Sequence, residues 1–276
     1  MTSWVSPGDE SYPTGLLDLG DPPALNLNGA LSAKPHVSIV GTRTCTRYGV
    51  EIAAEMARRV ASVGWVVVSG LARGIDTAAH SGSLEGGGLG LAILGSGLER
   101  VDPRDTRHLA SKLIETGGAV VSEYPPEAAP ARWTFPRRNR LIAAISVATV
   151  VVESAARGGA QITALMAAEM GRPVFAVPGD IDRPASVGTN QLIRDGALPV
   201  LGAADLVQEL SLLTGMQSRP SPSVYAALIP RTGVEIEELP AIWDCSVKEA
   251  LVRLGQLEAT GDLERVGERV IPLTRS

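Results

Sequence analysis

The feature that most restricts this chain's fold is a pairing repeated along it. A short apolar run stops at glycine or a small polar residue, and a stretch with helical spacing follows. The runs are "HVSIVG" (36–41), "WVVVSG" (65–70), "GLAILGSG" (90–97), "GAVVSEYP" (118–125), "ATVVVES" (148–154), "PVFAVPG" (173–179) and "LPVLG" (198–202). Each is too short for a helix and apolar at consecutive positions, as a strand buried on both faces must be. Over 49–62, Val50, Ala53, Ala54, Ala57 and Val60 recur three and four apart, which predicts a helix. Further helices are expected over about 76–85, 105–116, 137–146, 160–170 and 188–195. Strand alternating with helix in this way predicts an α/β protein with a doubly wound parallel sheet.

The domain boundaries follow from where the alternation starts and stops. Residues 1–36, rich in Pro, Gly, Asp and Asn, read as an irregular lead-in, and 37–212 as the sheet domain. "TGMQSRPSPS" (214–223) has linker composition, so 213–223 is read as a linker. In 224–276, "SVYAALI" and "VEIEELPAIWD" read as short helices and "SVKEALVRLGQLEATG" as a third; "DLERVGERVIPL" then alternates around a Val-Gly turn. That order predicts a small winged-helix domain. A length of 276 residues accommodates both domains.

Several function classes are disfavoured. No run of eighteen apolar residues exists to span a bilayer, and "MTSWVSPGDESYP" lacks the basic start and apolar core of a signal peptide. A cytoplasmic location away from membranes is expected. Cys45 and Cys245 form no CxxC unit, and histidines stand only at 36, 80 and 108, so no disulfide framework and no metal site is expected. The first glycine turn, "GTRTCT", is not GxGxxG; "GSGLER" lacks the third glycine; and no GxxxxGK[ST] loop is present. No cofactor is expected.

In an open parallel sheet, ligands bind beyond the carboxyl ends of the strands. Those ends carry Gly41, Thr42, Arg43 and Arg47; Ser69, Gly70 and Arg73; Gly95, Gly97 and Arg100; and Arg157 in "ESAARGGAQIT". Backbone N–H groups at helix starts seat phosphates, and arginines add charge-assisted bidentate contacts. Singly, each glycine also reads as a tight turn; their placement with arginines on one edge is what suggests a phosphate-binding rim. Asp76 and His80 lie i, i+4 and read either as an acid–base pair or as a loop anchor with a packed histidine. Glu123 and Glu153 end strands and read either as catalytic carboxylates or as turn and cap residues.

The segment "ARWTFPRRNR" (131–140) concentrates scarce residue types. The chain has net charge −5 and 4% aromatics, yet Arg132, Arg137, Arg138 and Arg140 surround Trp133 and Phe135 here, beside Asn139. The segment is read as a loop entering a helix, with Pro136 fixing the turn. Cations interleaved with aromatics suit single-stranded nucleic acid: arginines follow the phosphates and an aromatic stacks a base. The other reading packs both aromatics beneath the loop and pairs the arginines with acids.

Taken in order, "VSIVGTR", "VVVSGLARGIDTAAH", "LAILGSGLER", "VVSEYPP", "FPRRNRLIAAIS", "TVVVESAARGGAQITA" and "VFAVPGDIDRPASVGTNQLIRDGA" resemble the bacterial DNA-processing protein A family (DprA/Smf). The resemblance runs from about Tyr12 to about Leu210. It implies an extended Rossmann-like fold, single-stranded DNA as ligand, a homodimer, and protection of incoming DNA with loading of the recombinase RecA during natural transformation. It implies no enzymatic activity and no catalytic residues. The family's basic position in the first glycine turn falls on Arg43, the one after the third strand on Arg104, and the basic and aromatic positions ahead of "RNR" on Arg132 and Phe135. Asp102 and Thr106 stand where the family usually has tyrosine and asparagine, and "ARGGAQITA" departs from its Ser-Gly-Ser-Leu. The N-terminal helical domain usual in the family is expected to be absent. Residues 224–276 resemble the winged-helix tail of many members, but six Lys/Arg against nine Asp/Glu there favour a protein contact or structural role over DNA reading.

Two rival readings remain at this stage. One is a nucleotide-processing hydrolase of the lysine-decarboxylase-like phosphoribohydrolase type; "ESAARGGAQIT" lacks that group's Pro-Gly-Gly-x-Gly-Thr turn. The other is a regulatory adaptor whose rim senses a small nucleotide.

Overall fold

The computed structural model describes residues 2–215, 225–226, 228–230, 232–259 and 262–272. The chain divides into two compact units, Met1–Leu213 and Thr214–Ser276.

The first unit is built on a nine-stranded sheet. In chain order the strands are β1 (Thr2–Val5), β2 (Leu25–Gly29), β3 (His36–Val40), β4 (Val66–Ser69), β5 (Leu89–Leu94), β6 (Ala119–Ser122), β7 (Ala148–Val151), β8 (Val174–Ala176) and β9 (Leu198–Pro199). Their spatial order is β1-β2-β6-β5-β4-β3-β7-β8-β9. From β3 to β9 all pairings are parallel, and β1 and β2 add an antiparallel edge. The chain builds outward from β3 to β6, then returns to β3's other side with β7. The reversal opens a crevice between the ends of β3 and β7, the place where doubly wound sheets take ligands.

Helices α1 (Arg47–Ser62), α2 (Ile75–Glu85), α3 (Arg107–Glu115), α4 (Thr134–Ile145), α5 (Gly159–Glu169), α6 (Val187–Arg194) and α7 (Ala203–Thr214) connect the strands. Neighbouring strand residues serve opposite faces. Val67 and Ile39 pack with Met56, Val60, Ile75 and Leu206 of α1, α2 and α7, whereas Val66, Val68 and Val40 pack with Leu141, Ile142 and Ala164 of α4 and α5. Two-sided burial is why these strands read as unbroken apolar runs.

Residues 1–36 are not the irregular lead-in expected from composition. β1 and β2 pair as a hairpin and extend the sheet past β6, and Val5, Tyr12, Leu16 and Leu25 are buried in its core. Arg172 fastens the turn between them, donating to the Asp18 carboxylate at 2.8 Å and the Gly15 carbonyl at 3.1 Å. The antiparallel strand "LNLNG", between β1 and β6, alternates apolar and polar residues, so it lacks the apolar run that marks the parallel strands.

In the second unit, β10 (Val234–Glu235), β11 (Leu263–Val266) and β12 (Arg269–Pro272) form an antiparallel sheet in the order β10-β12-β11. It packs with α8 (Leu239–Ile242) and α9 (Val247–Ala259) around Leu239, Trp243, Leu254, Leu257 and Val270. The expected wing gains a third strand, because the stretch read as a helix from Val234 begins as β10, continues as a single 3-10 turn (Ile236–Glu238) and only then becomes α8. Most of the expected linker, from 216 on, and part of the helix expected at 223–229 lie outside the described residues. Among those described, no helix is long and apolar enough to cross a membrane.

Candidate nucleic-acid interface

The crevice is assembled from four strand-end loops, those after β3, β4, β5 and β7, and the start of α4. After β3, the Thr42 N–H donates to the Glu153 carbonyl at 2.8 Å, joining the β3 and β7 ends. Thr46 caps α1, its hydroxyl accepting from the Gly49 N–H. The Glu153 carboxylate, 4% exposed, accepts from the Thr46 N–H at 2.8 Å and the Thr46 hydroxyl at 2.5 Å. Glu153 is therefore a loop anchor and not a catalytic group.

The loop after β4 is held from beneath. Ser69 is fully buried and its hydroxyl donates to the Ile39 carbonyl at 2.7 Å, so it is part of the scaffold and not an exposed contact. The Asp76 carboxylate accepts from the Gly70 and Ala72 N–H groups at 3.1 and 3.3 Å. Arg138 enters from α4 and donates to the carbonyls of Gly70 and Ile93. A Cβ on Gly70 would stand 2.6 Å from the Arg138 guanidinium and 2.7 Å from the Asp76 carboxylate, so this approach requires glycine. Burial lowers the Arg138 pKa to about 10, which leaves it charged at neutral pH. Burial raises that of Asp76, opposed by the Arg138 charge. His80 is fully buried one turn along α2, so the anchor-and-packed-histidine reading describes this pair.

The segment read as a loop entering a helix at about 137 turns helical earlier, at Thr134. α4 begins at Thr134, placing Phe135, Pro136, Arg137, Arg138, Asn139 and Arg140 on its first two turns, with Arg132 just ahead. Helical spacing then separates the arginines. Arg138, 3% exposed, points inward, which corrects its reading as a phosphate contact. Arg140 and Arg137 turn to the buried Glu123 carboxylate, at 2.6 and 3.4 Å. Asn139 is buried and donates to the Gly159 carbonyl at the start of α5.

Phe135 and Arg43 meet where the loops converge. The Arg43 guanidinium carbon lies 5.0 Å from the centroid of the Phe135 ring, a cation–π contact. Gly95 gives the ring its space, since a Cβ there would sit 2.9 Å from it. Gly97 packs instead on the carbonyls of Pro125 and Pro126. A cavity of about 830 Å³ opens on one side, lined by Gly41, Thr42, Arg43, Arg132, Phe135, Asn139, Arg157 and the start of α5. A second, of about 450 Å³, is lined by Arg43, Thr44, Gly70, Arg73, Pro103, Phe135 and Arg138. The two share Arg43, Ala72, Phe135 and Arg138.

The structure thus brings together Gly41, Thr42, Arg43, Gly70, Arg73, Arg132, Phe135, Arg138 and Asn139 at the cavities. It does not bring Arg47 there: this exposed side chain pairs with Glu51 along α1. Arg104 lines neither cavity but directly follows Pro103, which lines the smaller, and Arg73 pairs with Asp105 at 2.9 Å. Trp133 is 60% exposed and meets Tyr124 edge-on, outside both cavities. The lining residues Ser154, Gln161 and Thr163 are additions; their signal was the "ESAARGGAQIT" turn as a whole. Among the described residues no cluster of His, Cys, Asp and Glu suited to a metal ion is found.

The family described as DNA recombination-mediator protein A matches residues 3–211 of this chain. Protein Smf of Escherichia coli is 36% identical over 97% of this chain and 76% of its own length. DNA processing protein DprA of Bacillus subtilis is 37% identical over 73% of this chain and 69% of its own. The X-ray structure of DNA processing protein A from Streptococcus pneumoniae superposes with a TM-score of 0.70 at 37% identity, covering 75% of this chain and 74% of that one. A structure of the Helicobacter pylori protein, described for its unique single-stranded DNA binding mode, gives 0.67 at 26% identity over 76% and 95%. The chain whose strand ends carry this arginine-rimmed crevice belongs to the DNA recombination-mediator protein A family.

Proposed function

We propose that this chain, like the Helicobacter pylori relative described for its single-stranded DNA binding mode, binds single-stranded DNA, and that it does so at the switch-point crevice. The observation that carries this reading is the Arg43–Phe135 contact standing between two cavities. A base stacks on Phe135 while flanking phosphates meet Arg43, Arg132 and Arg157, with Arg104 and the paired Arg73, Arg137 and Arg140 at the margins. Gly41 and the Gly158–Gly159 start of α5 supply backbone N–H groups, while the Thr42 N–H is held by the Glu153 carbonyl. Among the described residues Arg43, Arg132, Arg157 and Arg104 form no ion pair, so each is free to take a phosphate.

In the cell this binding protects incoming DNA and delivers it to RecA during natural transformation, with the chain acting in the cytoplasm as a homodimer. The second unit acts as a winged helix. No catalytic step is part of this reading.

Electrophoretic mobility shifts with single- and double-stranded oligonucleotides, comparing the unaltered chain with Arg43→Ala, test the proposal. Single strands are expected to bind more tightly than duplexes, and Arg43→Ala to lower affinity roughly ten- to a hundredfold, the scale of a charge-assisted contact combined with a lost stacking partner. With three to four phosphates neutralised, log affinity falls against log salt with a slope of roughly −2 to −3. Affinity independent of salt, or untouched by Arg43→Ala, would remove the crevice from consideration.

A further inference from the structure

The second unit carries a groove that the DNA site does not use. Its walls are the β10 end and following turn (Glu235, Ile236, Glu237), Pro240 of α8, the first turns of α9 (Val247, Ala250, Leu251), and Glu268 from the β11–β12 turn. Its volume is about 700 Å³. Val247 and Leu251, i and i+4 on α9, are 64% and 49% exposed although the unit's core is formed by their neighbours Ala250 and Leu254. An apolar pair left to solvent on a helix that already has a buried face is a docking feature.

The charge lining this groove has one sign. Three of its eight lining residues are glutamates and none is basic. Glu235 has a partner, Arg269, at 3.5 Å; among the described residues the carboxylates of Glu237 and Glu268 form no ion pair. Of the unit's described arginines, Arg265 pairs with Glu258 at 2.9 Å, Arg253 lies 4.3 Å from the Tyr225 ring centroid and Arg269 is held by Glu235. A DNA backbone laid in this groove would meet carboxylates, with no basic residue in its lining.

We propose that this groove docks a basic amphipathic segment of a partner protein, whose apolar side chains rest on Ile236, Val247 and Leu251 while its lysines or arginines meet Glu237 and Glu268. Apolar anchors ringed by complementary charge are the pattern by which grooves hold an amphipathic helix, with the charges governing selectivity and encounter. The inference rests on the second unit alone and survives whether or not the crevice of the first unit binds DNA.

The test uses the full chain and a fluorescein-labelled synthetic peptide, two repeats of Leu-Lys-Lys-Leu-Leu-Lys-Leu, read by fluorescence anisotropy beside the same peptide with glutamate for lysine. The lysine peptide is expected to bind, and its glutamate counterpart not to bind. Leu251→Ser and Glu237→Lys/Glu268→Lys, both at exposed or rim positions, are each expected to weaken lysine-peptide binding at least tenfold. Far-UV circular dichroism and the thermal midpoint, measured in parallel, report that each variant is folded. Equal binding of the lysine peptide by both variants, no binding by the unaltered chain, or preferential binding of the glutamate peptide or of duplex DNA at this face would each overturn the proposal.

Discussion

Arginine does opposite work in the two units. At the crevice, Arg43 and Arg132 line a cavity without a carboxylate partner among the described residues, and Arg43 rests on an aromatic ring. In the second unit, Arg265 and Arg269 are bound to Glu258 and Glu235. The acidic total of the chain says nothing about either arrangement. What decides is whether a carboxylate stands within reach, and that depends on how helix and strand spacing distribute residues that are neighbours in sequence. The "RRNR" run illustrates it within one helix. Arg138 goes to the core, Arg137 and Arg140 go to Glu123, and only Arg132, ahead of the helix, stays free.

The sharpest way to break this contrast is to remove Arg138, the inward arginine. Asp76 would be left as a buried carboxylate, and the Gly70 and Ile93 carbonyls would lose their donor. Arg138→Met is expected to cost about 3–5 kcal/mol of stability, read as a lowered denaturant midpoint. Adding Asp76→Asn should recover part of that loss, since the orphaned charge is then gone. A cost below about 1 kcal/mol for the single variant would mean that Arg138 behaves like a surface arginine after all.

The same buried layer should respond to pH. His80 is fully buried, neither ring nitrogen meets a partner at hydrogen-bonding geometry, and burial lowers its pKa from 6.5 to about 4. Burial lowers His36 likewise, to about 4. A depressed histidine pKa means that the unfolded chain binds the proton first. Its contribution is fully present above pH 6.5 and is lost as pH falls toward 4, by on the order of 3 kcal/mol for His80. Urea titrations between pH 7 and 4 should show this slope, and His80→Leu should flatten it. An unchanged slope in His80→Leu would remove the histidine from the account.

A smaller effect separates the two aromatics of the segment. Phe135→Leu is expected to weaken single-stranded DNA binding by about 1–3 kcal/mol, while Trp133→Leu, outside both cavities, should change it by less than about 0.5 kcal/mol. The reverse order would move the stacking surface out to the Trp133–Tyr124 pair.

How much of this was legible beforehand follows the same physics. The inner strands declared themselves because two-sided burial makes them continuously apolar, as in "VVVS" of β4. β2 did not, because Asn26 and Asn28 interrupt its leucines; yet Asn26 is 1% exposed, a burial that only tertiary pairing determines. Arg43 and Phe135 were readable as candidates from their residue types, and the structure brings them into contact. That Ser69 and Arg138 face inward was not readable, since an arginine in a basic run carries no mark of which helix face it will occupy. Glu153 reads from sequence either as a catalytic carboxylate or as a cap residue, and what decides is Thr46, more than a hundred positions earlier, which donates to both its oxygens.

The slightest expected effect sharpens the comparison most directly. If pairing is what silences the second unit's arginines, releasing them should give that unit a weak affinity for DNA. Glu258→Gln and Glu235→Gln each remove the negative partner while keeping the side chain's size. Both pairs are partly exposed, so each change should cost no more than about 1 kcal/mol of stability. With Arg43→Ala in the background to suppress the crevice, the doubly substituted chain should bind duplex DNA no more than a fewfold more tightly than the background. That gain should disappear when salt is raised from low to moderate, because exposed charges are screened over about 10 Å at 0.1 M. A large, salt-resistant gain would show that the acidic partners mask a true DNA-reading surface; no gain at all would show that the geometry of α9 and β11–β12, and not charge pairing, keeps DNA away.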